Sequence, residues 1–191
     1  ENNSKDLWSV FRIMGEFVEG YDKLFSIGPC VTIFGSARTK PNSKYYKLAS
    51  EFAAELTKNG FGVITGGGPG IMEAANKGAF ESGGKSVGVG IDLPNEQGIN
   101  EYVNADYSIE FNYFFVRKVA LVKYSYAFIV VPGGMGTLDE LFEALTLIQT
   151  GKIKDFPVIV FAKDYWVNLR AHMEVMATAK SIDLDDLDLL L

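Results

Sequence analysis

The segment from Pro132 to Glu140 holds the residues of this 191-residue chain that are best suited to chemistry. It joins an apolar stretch, typical of a buried strand, to a sequence with the apolar spacing of a helix. Glycines in such a turn let a ligand approach backbone N–H groups, and the helix start that follows suits a phosphate. Glu140 comes one helical turn, about 5.4 Å, beyond the turn, where it could act as a general base or stabilise positive charge. Acidic residues also favour a helix N-terminus for electrostatic reasons alone, so the spacing leaves both interpretations open.

A second unusual position is Arg117, which shares a helix face with Phe114 and Leu121. An arginine on an apolar face is costly unless its charge is paired. One interpretation is that Arg117 and Lys118 extend their stems over apolar surface and keep their charges in water. The other is that Arg117 is held in place for an anion or for the Glu140 carboxylate.

Two further predicted strands also end in small residues, at Gly35-Ser36 and at Gly66 to Gly70. In open α/β sheets ligands bind beyond the carboxyl ends of the strands, so three such turns on one edge favour a phosphorylated ligand. Glycine for tightness alone is the simpler explanation of any one turn. The dinucleotide pattern G-x-G-x-x-G fails because Ile71 and Asp139 occupy its last position, and a P-loop before Lys85 fails because its first glycine would be Ala79.

The composition narrows the chemistry further. The chain has one cysteine and one histidine, Cys30 and His172, so cysteine-cluster zinc sites, multi-histidine metal sites and a Ser-His-Asp triad are not expected. We expect neither a metal nor a cofactor. The net charge of −6 argues against nucleic acid as a partner. With no apolar stretch of membrane-spanning length and no basic-then-apolar leader, we expect no membrane partner and a cytoplasmic protein.

The elements that position these residues alternate between strand and helix, which is typical of βαβ units. We therefore expect an α/β fold with a mostly parallel sheet, helices on both faces and an additional N-terminal helix. One domain is expected over 1–191, made of an N-terminal helix (1–27), a core (28–180) and an acidic tail (181–191) that is either loosely held or completed by other residues. Strands are predicted at 31–34, 61–65, 86–91, 107–109, 127–131 and 157–162, and helices at 1–26, 43–59, 71–81, 112–124, 136–149 and 165–179.

The segment from Pro132 to Glu140 resembles the P-G-G-x-G-T-x-x-E signature of the Lonely Guy (LOG) family, which older naming calls lysine decarboxylase-like. Arg117-Lys118, 15 residues before Gly133, is similar to the R-K element of that family. The second glycine turn and the segment from Phe34 to Arg38 are similar to further family loops. The resemblance covers roughly residues 28–170.

The resemblance implies a doubly wound, Rossmann-like fold, a homodimer or higher homo-oligomer, and hydrolysis of a nucleoside 5′-monophosphate to a free base and ribose 5-phosphate. Arg117 and Glu140 match the residues regarded as catalytic, and Arg117 is expected to orient Glu140 or the sugar and to keep the carboxylate ionised. The turn that would hold the phosphate comprises Gly133, Gly134, Gly136 and Thr137. Further substrate-binding residues predicted on this basis are Ser36, Gly67, Gly68, Glu96, Lys118, Asp139 and Thr146.

Departures from the plant pattern lie where a base could contact the protein. Plant-type members have M-H-x-R-K, whereas this chain has Phe114-Phe115-Val116-Arg117-Lys118. This difference and the additional N-terminal helix resemble the bacterial branch, which includes general nucleotide 5′-monophosphate nucleosidases. Base preference therefore stays open between a cytokinin riboside 5′-monophosphate and an AMP-like substrate.

Two alternatives use the same glycine turns. Related Rossmann-like proteins carry a phosphorylated cofactor, such as the molybdenum cofactor, without cleaving it, and a carrier needs only the phosphate-holding turns. Amino-acid decarboxylation, the activity in the older name, requires a Schiff-base lysine near a phosphate cup. Lys118 and Lys123 lie in no recognisable motif for pyridoxal phosphate, so we expect no such activity.

Overall fold

A computed structural model describes residues 2–93 and 98–189. Every predicted strand and helix is present, with boundaries that differ by at most two residues. Short 3₁₀ turns lie at Ala105–Tyr107 and Leu184–Leu189. The strands are β1 (Cys30–Phe34), β2 (Gly62–Thr65), β3 (Ser86–Ile91), β4 (Ser108–Phe111), β5 (Ala127–Val130) and β6 (Val158–Val160). The helices are α1 (Asn2–Leu24), α2 (Lys44–Lys58), α3 (Ile71–Glu81), α4 (Phe114–Lys123), α5 (Met135–Gln149) and α6 (Lys163–Thr178).

The six strands form one sheet in the order β4-β3-β2-β1-β5-β6, and every neighbouring pair is parallel. The chain builds the sheet outward from β1 to β4, then crosses back and continues from β5 to β6. The direction of winding therefore reverses between β1 and β5. The crevice beyond the carboxyl ends of two such strands is where ligands bind in doubly wound sheets.

Each face of the sheet is covered by the helices that the winding direction places there. Right-handed crossovers put helices on opposite faces when the chain reverses direction along a sheet. Val31 and Ile33 pack with the small, buried side chains of α2 and α3, while Cys30 and Phe34 point to the face covered by α1, α4, α5 and α6. The fold predicted from sequence, a parallel sheet with helices on both faces, is thereby confirmed.

The acidic tail, as far as residue 189, packs against the rest of the fold. Leu187 is buried, and its carbonyl oxygen accepts a hydrogen bond from the Arg170 guanidinium on α6. Gln149 at the end of α5 donates a hydrogen bond of 2.6 Å to Asp186. These contacts fasten the acidic tail, as far as residue 189, to two helices.

Helix α1 has two apolar faces. Ile13, Phe17 and Leu24 pack against the core, and Gly20 lets the helix approach the ring of Phe111, which a Cβ at residue 20 would meet at 2.8 Å. The opposite face is exposed and consists of Leu7, Trp8, Phe11, Met14 and Val18, called here the outer stripe. Within the described residues, none of the helices is long and apolar enough to cross a bilayer.

Candidate active site

The three glycine turns line one cleft of about 910 Å³ at the carboxyl edge of the sheet. Gly35 and Ser36 follow β1, Gly66 to Gly68 follow β2, and Pro132 to Gly136 follow β5. The cleft thus opens at the point where the winding reverses, as the general rule for doubly wound sheets requires. Ser36, Gly67, Gly68, Gly133, Gly134, Gly136, Thr137 and Asp139, all predicted from the sequence, line it.

The turn after β5 presents backbone donors to this cleft. The backbone N–H of Leu138 donates to the carbonyl of Gly134 at 3.0 Å, which marks the first turn of α5. The amides ahead of residue 138 have no acceptor within the helix, as at any helix start, and they carry its partial positive charge. Residue 133 must be glycine, because a Cβ there would collide with the Thr137 hydroxyl. The turn is therefore folded tightly onto Thr137.

The turn after β2 is held by hydrogen bonds with buried and half-buried side chains. The Thr65 hydroxyl accepts the N–H of Gly67 at 2.9 Å, and Asn100 donates to the carbonyls of Gly67 and Gly68 at 3.0 and 3.1 Å. The fully buried Asn76 links Thr65 to Asn100. Gly67 has a φ of +74°, in the left-handed region that only glycine adopts without strain. The second turn is thus fixed before any ligand arrives.

Arg117 lies on the floor of the cleft. Its Nε donates to the carbonyl of Val89 at 2.8 Å, and its Nη1 lies 3.9 Å from Oε1 of Glu140. Gly66 has no side chain where the guanidinium passes, since a Cβ there would collide with Nη2. The side chain is only 13% exposed, so Arg117 does not extend to bulk solvent. The interpretation that Arg117 is held in place for Glu140 is the one the geometry favours.

Glu140 lines the cleft, yet its side chain is only 7% exposed. Burial raises the pKa of Glu140 to about 7, and it outweighs the positive charges of Arg117 and Lys118, which lower this pKa. The nearby Glu143 and Asp139 carboxylates raise it further. Arg117 therefore acts in the expected direction, and with a pKa of about 7 the Glu140 carboxyl is about half ionised at neutral pH. A carboxyl group that exchanges a proton near pH 7 is suited to general acid–base work.

Two predicted binding residues lie outside the cleft lining, and a third is not among the described residues. Lys118 does not line the cleft, and its ammonium contacts Asp139 at 2.8 Å and Glu143 at 2.9 Å, which ties α4 to α5. Thr146 is exposed further along α5, where its hydroxyl donates to the Phe142 carbonyl. Glu96 lies outside the described residues. The substrate-binding roles of these three residues stay predictions.

The cleft also contains residues that the sequence analysis missed. Arg38 and Tyr45 line it near the first turn, Asp92 and Glu110 near the ends of β3 and β4, and Tyr165 at the start of α6. The position of Asp92 directly after a predicted strand was a usable signal, whereas nothing near Tyr165 in the sequence relates it to Gly133. Among residues 2–93 and 98–189, no group of three or more histidine, cysteine, aspartate and glutamate side chains could hold a metal ion.

The parallel sheet and the glycine-lined cleft at its switch point define a Rossmann-like α/β protein. A family model described as "possible lysine decarboxylase" matches residues 72–191. The chain therefore belongs to this family, the Lonely Guy family of the sequence resemblance.

Two curated relatives have the same name. LOG5 of Arabidopsis thaliana, a cytokinin riboside 5′-monophosphate phosphoribohydrolase, is 30% identical over 141 residues, 72% of this chain and 60% of the relative. The enzyme of that name from Mycobacterium tuberculosis is 36% identical over 113 residues, 58% of this chain and 59% of the relative. The matched segments thus span about three fifths of the length of these relatives.

Solved structures share the fold. The X-ray structure of the structural-genomics target TM1055 is 27% identical with a TM-score of 0.55, covering 69% of this chain and 72% of that one. The molybdenum cofactor carrier protein of Chlamydomonas is 25% identical with a TM-score of 0.54, covering 80% and 96%. The same architecture therefore occurs in a protein named for carrying a cofactor.

Proposed function

We propose that this chain hydrolyses the N-glycosidic bond of a nucleoside 5′-monophosphate, releasing the free base and ribose 5-phosphate. The observation that carries the proposal is the placement of a buried carboxyl group, Glu140, beside Arg117 in the same cleft as the amide-rich turn after β5. The relatives named phosphoribohydrolases support it. A nucleotide is charged and stays where it is made, which supports the expected cytoplasmic location.

The phosphate would bind the amides of Gly134 and Gly136 and the Thr137 hydroxyl, which leaves C1′ of the ribose near Glu140. As the bond from C1′ to the base nitrogen breaks, its electron pair goes to the base and positive charge builds on the sugar. The ionised Glu140 stabilises that charge and takes a proton from the attacking water, whose oxygen bonds to C1′. The proton that Glu140 takes from water passes on to the base nitrogen, directly or through solvent, so the products are neutral base and ribose 5-phosphate and Glu140 is ionised again. Arg117 keeps the carboxylate oriented.

Incubation with a panel of nucleoside 5′-monophosphates, including AMP and N6-isopentenyl-AMP, tests the proposal. Chromatography should detect free base and ribose 5-phosphate in equal amounts. The matching nucleosides are the control, because they lack the group that the turn after β5 would bind, and they should react far more slowly. Equal rates for nucleosides and nucleotides would contradict the proposed phosphate anchor. If no nucleotide of the panel released its base, the proposed activity would be wrong.

The observation in support of the alternative, a carrier protein, is the likeness to the Chlamydomonas protein. A carrier requires the glycine turns but has no use for a carboxyl group held near neutral pKa beside an arginine. Tight binding of a phosphorylated ligand without any bond cleavage in the panel experiment would favour the carrier over the hydrolase.

The rate should rise with pH across neutrality, because Glu140 acts as a base only when ionised. With a pKa of about 7, kcat/KM should fall about tenfold per pH unit below that value and level off above it. Rates of ribose 5-phosphate release between pH 5.5 and 9 measure this. A flat profile over that range would exclude Glu140 as the base.

We also propose that the outer stripe of α1 is covered by a second copy of this chain. Its five apolar side chains are all more than half exposed, and Phe114 and Phe115 at the start of α4 are likewise exposed. α1 packs on α4, so the two helices expose apolar side chains side by side, and a surface of this kind marks an interaction site. Twofold association of identical faces is the commonest solution for such a surface.

Phe11→Glu should convert the oligomer to a monomer, because a charge would then be buried between the two copies. Size-exclusion chromatography with light scattering measures the mass, and circular dichroism checks that the variant is folded. Arg12→Glu is the control, since it adds acidity at the neighbouring exposed position beside the stripe and should keep the wild-type mass. An unchanged mass for Phe11→Glu would show that the stripe is not the interface.

A further inference from the structure

Tyr165 contacts the turn after β5, and it has no role in the proposed function as described so far. It lies in the first turn of α6, lines the cleft, and donates a hydrogen bond from its hydroxyl to the carbonyl oxygen of Gly133 at 2.8 Å. Its ring stacks edge-on against Trp166 with centroids 4.8 Å apart. The Trp166 indole N–H in turn donates to the carbonyl of Phe161 at 2.7 Å, which anchors the start of α6 to the end of β6. These contacts anchor the helix start that carries Tyr165 beside the turn after β5.

The hydrogen bond acts on a peptide unit between two glycines, of which Gly133 lies against Thr137 and Gly134 has open space at its Cβ position. The unit lies between Gly133 and Gly134, and glycine rotates more freely than any other residue. A Cβ at residue 134 would meet nothing within 4 Å, so packing does not fix this part of the turn. In a trans peptide the C=O and N–H bonds point in opposite directions, so a donor that holds the carbonyl also sets the direction of the amide.

The peptide unit before it is held in the same way. The backbone N–H of Ser36, in the turn after β1, donates to the carbonyl of Pro132 at 3.1 Å. Two consecutive carbonyls of the turn after β5 are thus taken by donors from other segments, Ser36 and Tyr165. Each amide of the pair therefore points away from the donor that holds its carbonyl.

We infer that Tyr165 is a positioning residue, whose hydroxyl orients the Gly134 amide toward the 5′-phosphate of the substrate. The inference rests on the proposed function for the identity of the anion. Without the hydroxyl, the 133–134 peptide samples both orientations, and the ligand must select the productive one. Binding of the phosphate then weakens, whereas the chemistry at C1′, which depends on Glu140, changes less.

Tyr165→Phe tests this, because it removes one oxygen and keeps the ring. Calorimetry with ribose 5-phosphate should show affinity about fivefold to thirtyfold lower, the range expected for one lost hydrogen bond of about 1–2 kcal/mol. With a nucleoside 5′-monophosphate, KM should rise by a similar factor and kcat should change less than threefold. Tyr126→Phe, the same change at a residue before β5 on the opposite edge of the sheet, should match wild type.

The NMR resonance of the Gly134 amide distinguishes the two ways in which Tyr165 could act. In the ligand-free protein it depends on the orientation of the peptide and not on a direct contact between Tyr165 and a ligand. In ligand-free Tyr165→Phe, this ¹H–¹⁵N resonance should shift or broaden, while Tyr126→Phe leaves it unchanged. The inference would be overturned by an unchanged Gly134 resonance or by an unchanged affinity for ribose 5-phosphate. A fall in kcat as large as the rise in KM would also overturn it. Failure of wild type to bind ribose 5-phosphate would overturn it together with the proposed function. Binding without cleavage would remove only the hydrolase, because the calorimetric and resonance tests need no turnover.

Discussion

Glu140→Gln is expected to lower kcat for release of ribose 5-phosphate by about a thousandfold and to leave ribose 5-phosphate affinity within about threefold of wild type. The amide cannot accept a proton from water or carry the negative charge that stabilises the sugar cation, and such groups contribute about 10²–10⁴ in rate. The turn that would bind the phosphate is untouched by this change. Single-turnover assays and calorimetry measure the two effects separately.

Glu143→Gln is the matched control, since it makes the same chemical change on the same helix outside the cleft lining. It should keep kcat within about tenfold of wild type. A Glu140→Gln enzyme with near-normal turnover, or a Glu143→Gln enzyme equally impaired, would show that Glu140 has no special role.

Glu140→Gln is also expected to change the stability of the protein. The pKa of Glu140 is raised in the folded protein, so the unfolded chain ionises first and the free energy of unfolding falls as pH rises from about 4.5 to about 7. Above pH 7 the full penalty is present, on the order of 3 kcal/mol for a shift of this size. Glu140→Gln should therefore be more stable than wild type in urea unfolding at pH 8, by up to that amount, with little gain at pH 4.5. Equal stability at both pH values would contradict the burial of an ionisable group here.

Arg117→Met is expected to lower kcat/KM at pH 7 by at least about a hundredfold and to move the midpoint of the pH profile above 7. The guanidinium charge lowers the pKa of Glu140, so its removal leaves burial opposed only by Lys118 and keeps the carboxyl protonated to higher pH. The hydrogen bond to the Val89 carbonyl is lost as well, although an apolar side chain of similar length fills much of the space. Rates measured from pH 6 to 10 should show part of the loss recovered at high pH.

Arg117→Lys separates charge from geometry. Lysine keeps a positive charge near Glu140 but cannot reproduce the donor set that bonds Val89 while facing the carboxylate. Its pH midpoint should stay near that of wild type, with a lower plateau. If Arg117→Met and Arg117→Lys have the same midpoint as wild type, then Arg117 does not act on Glu140 through its charge.

The spacing of residues predicted much of the site because the groups involved are near each other along the chain. Glu140 lies one helical turn beyond Gly136, so any helix that starts at the glycines places the carboxyl beside them. Arg117 was singled out because an unpaired charge on an apolar face is costly, and that argument needs no coordinates. The family resemblance also predicted Lys118 as a substrate-binding residue, and in the structure its ammonium pairs with Asp139 and Glu143. Helical spacing alone does not say which of two adjacent basic residues turns toward the cleft.

By itself, the sequence determined the alternation of strands and helices, the glycine turns at one edge of the sheet, and the placement of a carboxyl group one helical turn beyond a glycine turn, because all of these follow from periodicity and short-range spacing. Only the tertiary structure decided the raised pKa of Glu140 and the hydrogen bond from Tyr165 to the Gly133 carbonyl. The first depends on how much water the assembled helices exclude. The second depends on β6 lying beside β5, which brings together residues 32 positions apart.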